Sequence, residues 1–535
     1  MKTNRYPGVK PFETGEQDRF FGRDRDIADL YDLILLEKLV VLFGKSGYGK
    51  SSLLNAGIIP QLDKEQDPAL RYHTLVVRIG PYVAGQSTLS PVANIQQRLQ
   101  DRFPLAEGEV EVLASILPDA SLWKAFKQRQ MAGGPRRYLL IFDQFEEFFF
   151  YPPEDRQRFK EQITELLYQS IPQRVREQSN ALPREQRQLI ATPLEIKAIF
   201  AIREDRLSLL DTLKDFLPAI LHQRYELRAL SREQAQQAIV QPAALEGANY
   251  AAAAFRYDPP ALEAMLDELS RSQGMQQQQI EAFLLQILCQ YLEAKVIDQQ
   301  VPQHLIQVSD LPQMSKLVDE YYQQRLHRLP EDMRDSAQRL VEALIIYDPE
   351  SGESRRQALD GDLLLQQYRK QGATPDLLRE LENTFLLRRE ANHFGGFNYE
   401  ISHDTLLGPI QRDKKTRLEA EQQKRFRRNA LLVVLALGVA VAAILFSLWA
   451  LRQKQAAEAA KAEAESAKTE ATLLLRNLLR EKIQRQERDI QEWRRKQKVF
   501  EKGQRPDLVK MTADSIRAID AAKQQNLLEL QKQSQ

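Results

Sequence analysis

Residues 39–55 read LVVLFGKSGYGKSSLLN, and no other stretch constrains the fold as tightly. The apolar run 39–43 is too short and too β-branched for a helix and predicts a buried strand. A glycine loop follows, and Ser51, Ser52, Leu53 and Leu54 open a helix. From Gly44 to Ser51 the spacing is G-x-x-x-x-G-K-[ST], that of a phosphate-binding loop. Gly44, Gly47 and Gly49 let the backbone turn its N–H groups inward. The loop through Lys45, Ser46, Tyr48 and Ser52 then converges on an anion at a helix N-terminus. Lys50 would reach the β- and γ-phosphates, and Ser51 would hold Mg²⁺. A chance glycine turn would need neither the strand before it nor the helix after it. The stretch predicts nucleotide binding.

A second strand is expected at 74–79, and residues 91–130 read as helical. RYLLIFDQFEEFFF (137–150) then predicts an apolar strand at 138–142 that ends in Asp143. A carboxylate at a strand's C-terminal end, beside a phosphate loop, can hold Mg²⁺ directly or through water. Glu146 and Glu147 offer carboxylates to polarise an attacking water. KAIFAIREDRLSLL (197–210) predicts a fourth strand ending in Arg203, placed to sense or stabilise a γ-phosphate. Taken alone, Arg203 reads as a surface charge.

Lys+Arg total 75 against Asp+Glu 74, so no global charge steers the chain to nucleic acid. One cysteine, Cys289, excludes an internal disulfide framework and suits a reducing compartment. The six histidines lack zinc-site spacing, and residues 1–30 are too polar for a cleavable signal peptide. Residues 430–451 carry no charge at all. As a helix they would extend about 33 Å, the hydrocarbon thickness of a bilayer. Residues 412–429 hold eight Lys/Arg and 452–469 hold four, which places the N-terminal side in the cytoplasm. The expected protein crosses the membrane once.

Ile27, Leu30, Tyr31 and Ile34 give a helix before the first strand one buried face. From residue 225 to about 318 the pattern is nearly all helical. Ser231 and Gln234 form a capping box, Pro242 is expected to end that helix, and Gln276–279 is a short loop. In the next apolar helix (280–293), Phe283, Leu284, Ile287, Leu288 and Tyr291 make a core stripe, with Cys289 in the core. Residues 386–390 and 398–401 are expected to pair across Gly395 and Gly396, with Ser402 or Asp404 capping a following helix. Helices plus such a hairpin suggest a winged helix. Beyond the apolar span, Leu479, Ile483, Ile490, Trp493 and Phe500 follow a coiled-coil spacing, with Gln486 and Gln497 in the other seam positions. Gly503 and Pro506 break it before a last helix from Asp507.

Together YPGVKPF, FFGRDRD, GKSGYGKSSLLNAGIIP, LLIFDQFEEF, IFAIREDR, LLQILCQYL and EISHDTL make the first 410 residues resemble the STAND class of signalling ATPases. More narrowly, they are similar to its bacterial "novel STAND" subgroup. The resemblance implies an α/β P-loop NTPase core of the additional-strand type, then helical and winged-helix domains closing over ATP or ADP with Mg²⁺. It implies Gly22 and Arg23 at the adenine end, Lys50 and Ser51 on phosphate and metal, and Asp143 on the metal. It further implies Glu146 and Glu147 for water activation and Arg203 as sensor. His403, with Asp404, would touch the ADP β-phosphate and lock a closed state. Where relatives often carry a proline, this chain has Ala282, and no propeller follows the apolar span, so the sensing module is missing, reduced or supplied by another chain.

The expected organisation is an N-terminal segment (1–38), ATPase core (39–225), helical domain (226–325) and winged-helix domain (326–411). A basic juxtamembrane linker (412–429), transmembrane helix (430–451) and helical coiled-coil tail (452–535) follow. The expected function is a switch in the bacterial inner membrane, with slow ATP hydrolysis, that self-associates into a homo-oligomer on activation. A role in conflict or phage defence follows by analogy, and a companion effector or sensor protein is a further expected partner. Two rival readings are a DNA-associated regulator using the basic run, and an ATP-binding structural scaffold assembled through the tail.

Overall fold

The apolar run at 39–43 forms β1 (Leu39–Gly44), which lies in a five-stranded parallel sheet. Its companions are β2 (His73–Arg78), β3 (Arg137–Asp143), β4 (Glu195–Arg203) and β5 (Arg224–Glu226), in the order β2-β3-β4-β1-β5. The structure, a computed structural model, describes residues 2–532 except 69, 81, 83–87, 106–112, 114–119, 181, 272–278, 348–353, 393–395, 460–468 and 503–504.

Side chains alternate between two cores, as strand geometry requires. Val41, Leu140, Phe142, Ala198 and Phe200 belong to one cluster, and Val40, Leu42, Leu139, Ile141 and Ile199 to the other. Both faces are therefore covered, the usual condition for a parallel sheet. Because β4 lies between β1 and β3, Gly44, Arg203 and Asp143 emerge along one edge, with Gly44 in register with Arg203. Below that edge Phe142 stacks on Phe200 at 4.9 Å, and Phe145 packs edge-on against Phe200 at 4.6 Å. This aromatic base fixes the short turn Phe145–Phe150 that carries Glu146 and Glu147.

After the phosphate loop the helix starts at Lys50, one residue before the expected Ser51, and its next turn, Leu53–Ile58, is π-helical. Inserted π turns are found mostly at functional sites. Gly57 faces the helix Asp24–Leu36 there, and a Cβ on it would lie 2.7 Å from Ile27.

The following helices, Arg232–Ala244, Pro259–Arg271, Ala282–Ile297, Met314–His327 and Glu331–Ala343, share one hydrophobic cluster. It starts at Tyr6 and continues through Leu288 and Leu340 to Ile401 and Ile410. The capping box at Ser231 and Gln234 forms on both sides. Pro242 does not end its helix. It lies in the last turn, where the ring removes only one backbone donor, and the helix stops at Ala244. The Gln276–278 part of the expected loop lies outside the described residues.

Two short pairs, β6 (Arg256–Tyr257) with β7 (Leu305–Ile306) and β8 (Ile345–Tyr347) with β9 (Ser354–Arg356), brace this module. β10 (Leu359–Asp360), β11 (Leu387–Ala391) and β12 (Phe397–Ile401) form an antiparallel sheet in the order β10-β12-β11. β11 and β12 are the expected hairpin; Gly395 lies outside the described residues, and Gly396 donates to Asn392 Oδ1 at 2.9 Å. The helix cap differs from expectation. Ser402 donates to the Phe385 carbonyl, and His403 caps the turn instead.

Two compact units result, Met1–Glu419 and Ala420–Gln535. In the first, the start of the helix Leu407–Ala459 is tied down by its polar residues. Asp413 accepts from Tyr322, Gln323 and Gln338 at 3.0–3.2 Å, and Arg412 pairs with Asp319 at 2.6 Å. The basic run expected as a linker is thus helical, and its first residues are docked. The same helix carries 430–451, whose described side chains are exposed apart from half-buried Ala440, and it alone among the described helices is long and apolar enough to cross a membrane. In the second unit the helices Thr469–Lys502 and Pro506–Lys532 run antiparallel, with Lys523 on Glu487 at 2.8 Å. The expected seam faces this second helix of the same chain: Ile490 is buried, and Leu479, Ile483 and Trp493 are half-buried. Gly503 lies outside the described residues.

Candidate functional site

The loop between β1 and Lys50 is shaped by its glycines. Gly47 and Gly49 have φ of +85° and +95°, which favour glycine over any side chain. A Cβ at Gly44 would lie 2.3 Å from the Leu227 carbonyl oxygen, so only glycine lets the strand end pass β5. Lys50 Nζ donates to the carbonyls of Gly44 at 2.7 Å and Lys45 at 3.1 Å. Burial lowers its pKa to about 8, against the pull of Glu146 and Asp143, so the ammonium keeps its charge at neutral pH. Ser46 and Gly47 line the cavity above. Ser52 is engaged elsewhere, its Oγ accepting from the Phe12 N–H at 3.1 Å.

Ser51 Oγ lies 3.0 Å from Oδ1 of Asp143, which is buried. These hard oxygens fit Mg²⁺, which takes one or two protein donors and completes its shell with water and phosphate. Glu146 and Glu147 each keep one buried, unpaired carboxylate oxygen. Burial raises both pKa values; Lys50 and Arg203 act against it at Glu146, whereas Glu147 is pushed up to about 7 with Glu146 adding to the burial. Each can accept a proton from a polarised water.

Arg203 does not stand on the surface. It pairs with Asp205 at 2.8 Å and, across the cavity, with Glu390 of β11; Glu400 of β12 lies at 4.0 Å. Arg206 reaches the same Glu390 at 2.9 Å. Thus the hairpin of the C-terminal module holds the strand-end arginine by charge.

His403 arrives from the end of that hairpin. Its ring lies against the phosphate loop, 3.4 Å from where a Cβ on Gly47 would be. It stacks on Phe283, and Nε2 lies 3.4 Å from Glu281 Oε2. Nδ1 lies 2.9 Å from Thr405 Oγ1 and 3.4 Å from the Thr405 N–H, and assigning it as the acceptor of that N–H puts the ring proton on Nε2. Burial lowers its pKa to about 4, so it is neutral near pH 7. Asp404, expected beside it, instead pairs with Arg356.

These groups enclose one cavity of about 410 Å³, within the size range of small-molecule sites. Arg23 lines this cavity and Gly22 does not, and both act through the backbone around it. Gly22 has φ +81°, and a Cβ there would lie 2.2 Å from the Gln234 carbonyl oxygen. Arg23 spends its donors on the carbonyls of Tyr48 and Arg228 and on Asp26, at 2.9–3.0 Å, and so buttresses the loop.

Three contributors escaped the sequence reading. Residues 5–12 form a strap over the cavity: Arg5 and Tyr6 N–H groups donate to Glu293, while Asn55 donates to the Phe12 carbonyl at 3.2 Å. YPGVKPF was visible as a motif, but only the fold shows what it joins. Phe283, expected in the core stripe, is half-buried against the core and stacks on His403 over the cavity, while Leu285, which also lines the cavity, is fully buried. Glu390 carried no signal in the sequence.

The model of the family Novel STAND NTPase 1 matches residues 6–431. No curated protein matches the chain. Among solved structures, the Aeropyrum pernix ORC1 protein in complex with DNA is 11% identical, covering 75% of this chain and 94% of its own, with TM-score 0.37. The Walker-type ATPase of Pyrococcus abyssi is 13% identical, covering 75% and 99%, with TM-score 0.34. The ADP form of the Aeropyrum pernix ORC2 protein is 14% identical, covering 73% and 94%, with TM-score 0.36.

Proposed function

The chain belongs to the novel STAND NTPase family, and from that premise we propose that this P-loop ATPase is a membrane-anchored switch held closed by ADP and opened by ATP. One observation carries the reading. Residues from three separate parts of the chain, His403, Phe283 and Gly47, meet over the phosphate loop, while Glu390 neutralises Arg203.

The C-terminal module is read as a winged helix. In the closed form His403 Nε2–H faces the phosphate side and donates to a β-phosphate oxygen in place of Glu281. Lys50 and the loop N–H groups bind the β- and γ-phosphates. A γ-phosphate needs Arg203, so ATP competes with Glu390 for the same guanidinium, and differential affinity for the two forms does the switching. Mg²⁺, held by Ser51 and Asp143, would supply charge neutralisation between the phosphates. Glu146 takes the proton of the attacking water, with Glu147 beside it. Hydrolysis then returns Arg203 to Glu390, and turnover is slow because reclosure limits it.

The exposed apolar stretch 430–451 supports a single-pass anchor in a bacterial inner membrane, with the nucleotide site in the cytoplasm. Opened copies self-associate, and the output is signalling, in conflict or phage defence by analogy with the family. The test is the nucleotide retained on purification. Wild-type protein should carry tightly held ADP and run as a monomer, and Mg²⁺-ATP should convert it to oligomers. His403→Ala should lose ADP and oligomerise without a trigger. A Lys50→Ala chain that binds ATP and switches like wild type would overturn the assignment.

A further inference from the structure

Asp143 has two oxygens, and they have different partners. Oδ1 faces Ser51 at 3.0 Å. Oδ2 is gripped by Arg78, whose Nε lies at 3.0 Å and Nη2 at 2.9 Å. Arg78 is the last residue of β2 and is in parallel register with Asp143, so the sheet itself brings the guanidinium beside the carboxylate. The strand end is fixed in turn, because Asn94 donates to the Arg78 carbonyl at 3.1 Å. Asp143 is buried, whereas the Arg78 side chain is nearly half exposed.

We infer that Arg78 is a positioning residue for the metal carboxylate. By holding Oδ2 with two donors of one fork, it fixes the carboxylate's rotation and presents Oδ1 to the site shared with Ser51. Asp143 thereby offers one oxygen to a cation, the single-donor mode that suits Mg²⁺ with its retained waters. Such supporting partners commonly change metal affinity by about 10–100-fold when removed. Without Arg78, Oδ2 is left buried and unpaired, and the carboxylate turns to find a donor.

The inference rests on the nucleotide reading above, and its test separates the two. Full-length protein in detergent is loaded with ADP, and Mn²⁺, which takes the same oxygen ligands, is titrated and followed by its paramagnetic resonance signal. ADP affinity in EDTA is measured in parallel. Arg78→Ala should weaken Mn²⁺ binding about tenfold or more and leave metal-free ADP affinity unchanged. Arg78→Lys, with one point donor, should recover part of the loss. Unchanged Mn²⁺ affinity in a folded Arg78→Ala protein overturns the inference. An equal loss of ADP affinity in EDTA overturns it too, since Arg78 would then support the loop rather than the metal. Should Arg78→Ala not fold, the Arg78→Lys titration decides alone, wild-type affinity counting against. A wild-type chain that binds no ADP strikes the nucleotide reading instead.

Discussion

The imidazole of His403 lies flat on the ring of Phe283, with centroids 4.1 Å apart and planes 6° from parallel. The stack joins the end of the C-terminal hairpin to the helix Ala282–Ile297, and both stand over the phosphate loop. Aromatic pairs of this kind contribute about 0.5–1.5 kcal/mol beyond their buried area. Phe283→Ala should therefore speed ADP release about 2–10-fold, with a smaller effect than His403→Ala. Dissociation of a fluorescent ADP analogue from preloaded protein reads this directly.

Arg203 is bound by Glu390 while the module is closed, and the pair is mostly shielded from water. Its strength should fall between exposed and buried ion pairs, about 1–3 kcal/mol. Glu390→Gln should shift the protein toward the open form and raise ATP-driven oligomerisation at low nucleotide. The swap Arg203→Glu with Glu390→Arg should recover closure, measured by melting with ADP, but not hydrolysis.

The buried His403 has a pKa near 4, against about 6.5 when exposed. Asp404 and Glu281 face it with negative charge, Arg356 and Arg388 with positive. An opened module takes up a proton that the closed one refuses, so closure is fully stable above about pH 6.5 and is lost as pH falls toward 4. In nucleotide-free protein, going from about pH 7.5 to 5.5 should favour opening about tenfold. His403→Phe should abolish that dependence, as read by hydrogen exchange of β12.

Arg203 acts on both buried carboxylates, but Lys50 adds its charge at Glu146, whereas Arg389 and Arg206 add theirs at Glu147. Glu146→Gln should reduce kcat by about 10²–10⁴ and leave ADP affinity unchanged. Glu147→Gln should cost less in kcat. Single-turnover hydrolysis distinguishes the two.

Arg5 and Glu293 are both buried and pair at 3.6 Å, with Glu293 also accepting the Arg5 and Tyr6 N–H groups. Removing one buried partner leaves the other uncompensated, at about 3–5 kcal/mol. Glu293→Ala should lower the melting temperature and loosen the strap over the cavity. Limited proteolysis near residue 5 would report it.

Much of this was legible because local rules decided it. The strand ends at Gly44, Asp143 and Arg203 follow from apolar runs closed by a glycine or a charged residue, and the Ser231–Gln234 cap from a three-residue spacing. What was hidden depends on strand order or on distant sequence. Arg78 meets Asp143 only because β2 lies beside β3, and Arg5 meets Glu293 from 288 residues away. Phe283 fits a helical core stripe as well as Leu285 does; both line the cavity, and only the packing decides that Leu285 is fully buried while Phe283 stacks on His403. Pro242 reads as a stop signal, but one turn from a helix end its cost is small enough for packing to override.

The most direct measurement is a distance between the ATPase core and the C-terminal module. Spin labels at the exposed positions Lys64 and Lys370, in a Cys289→Ala background, report it without touching the cavity. With ADP a single narrow distance is expected, broadening and lengthening with Mg²⁺-ATP and in His403→Ala. The same narrow distance under ADP, Mg²⁺-ATP and His403→Ala alike would contradict a nucleotide-controlled closure.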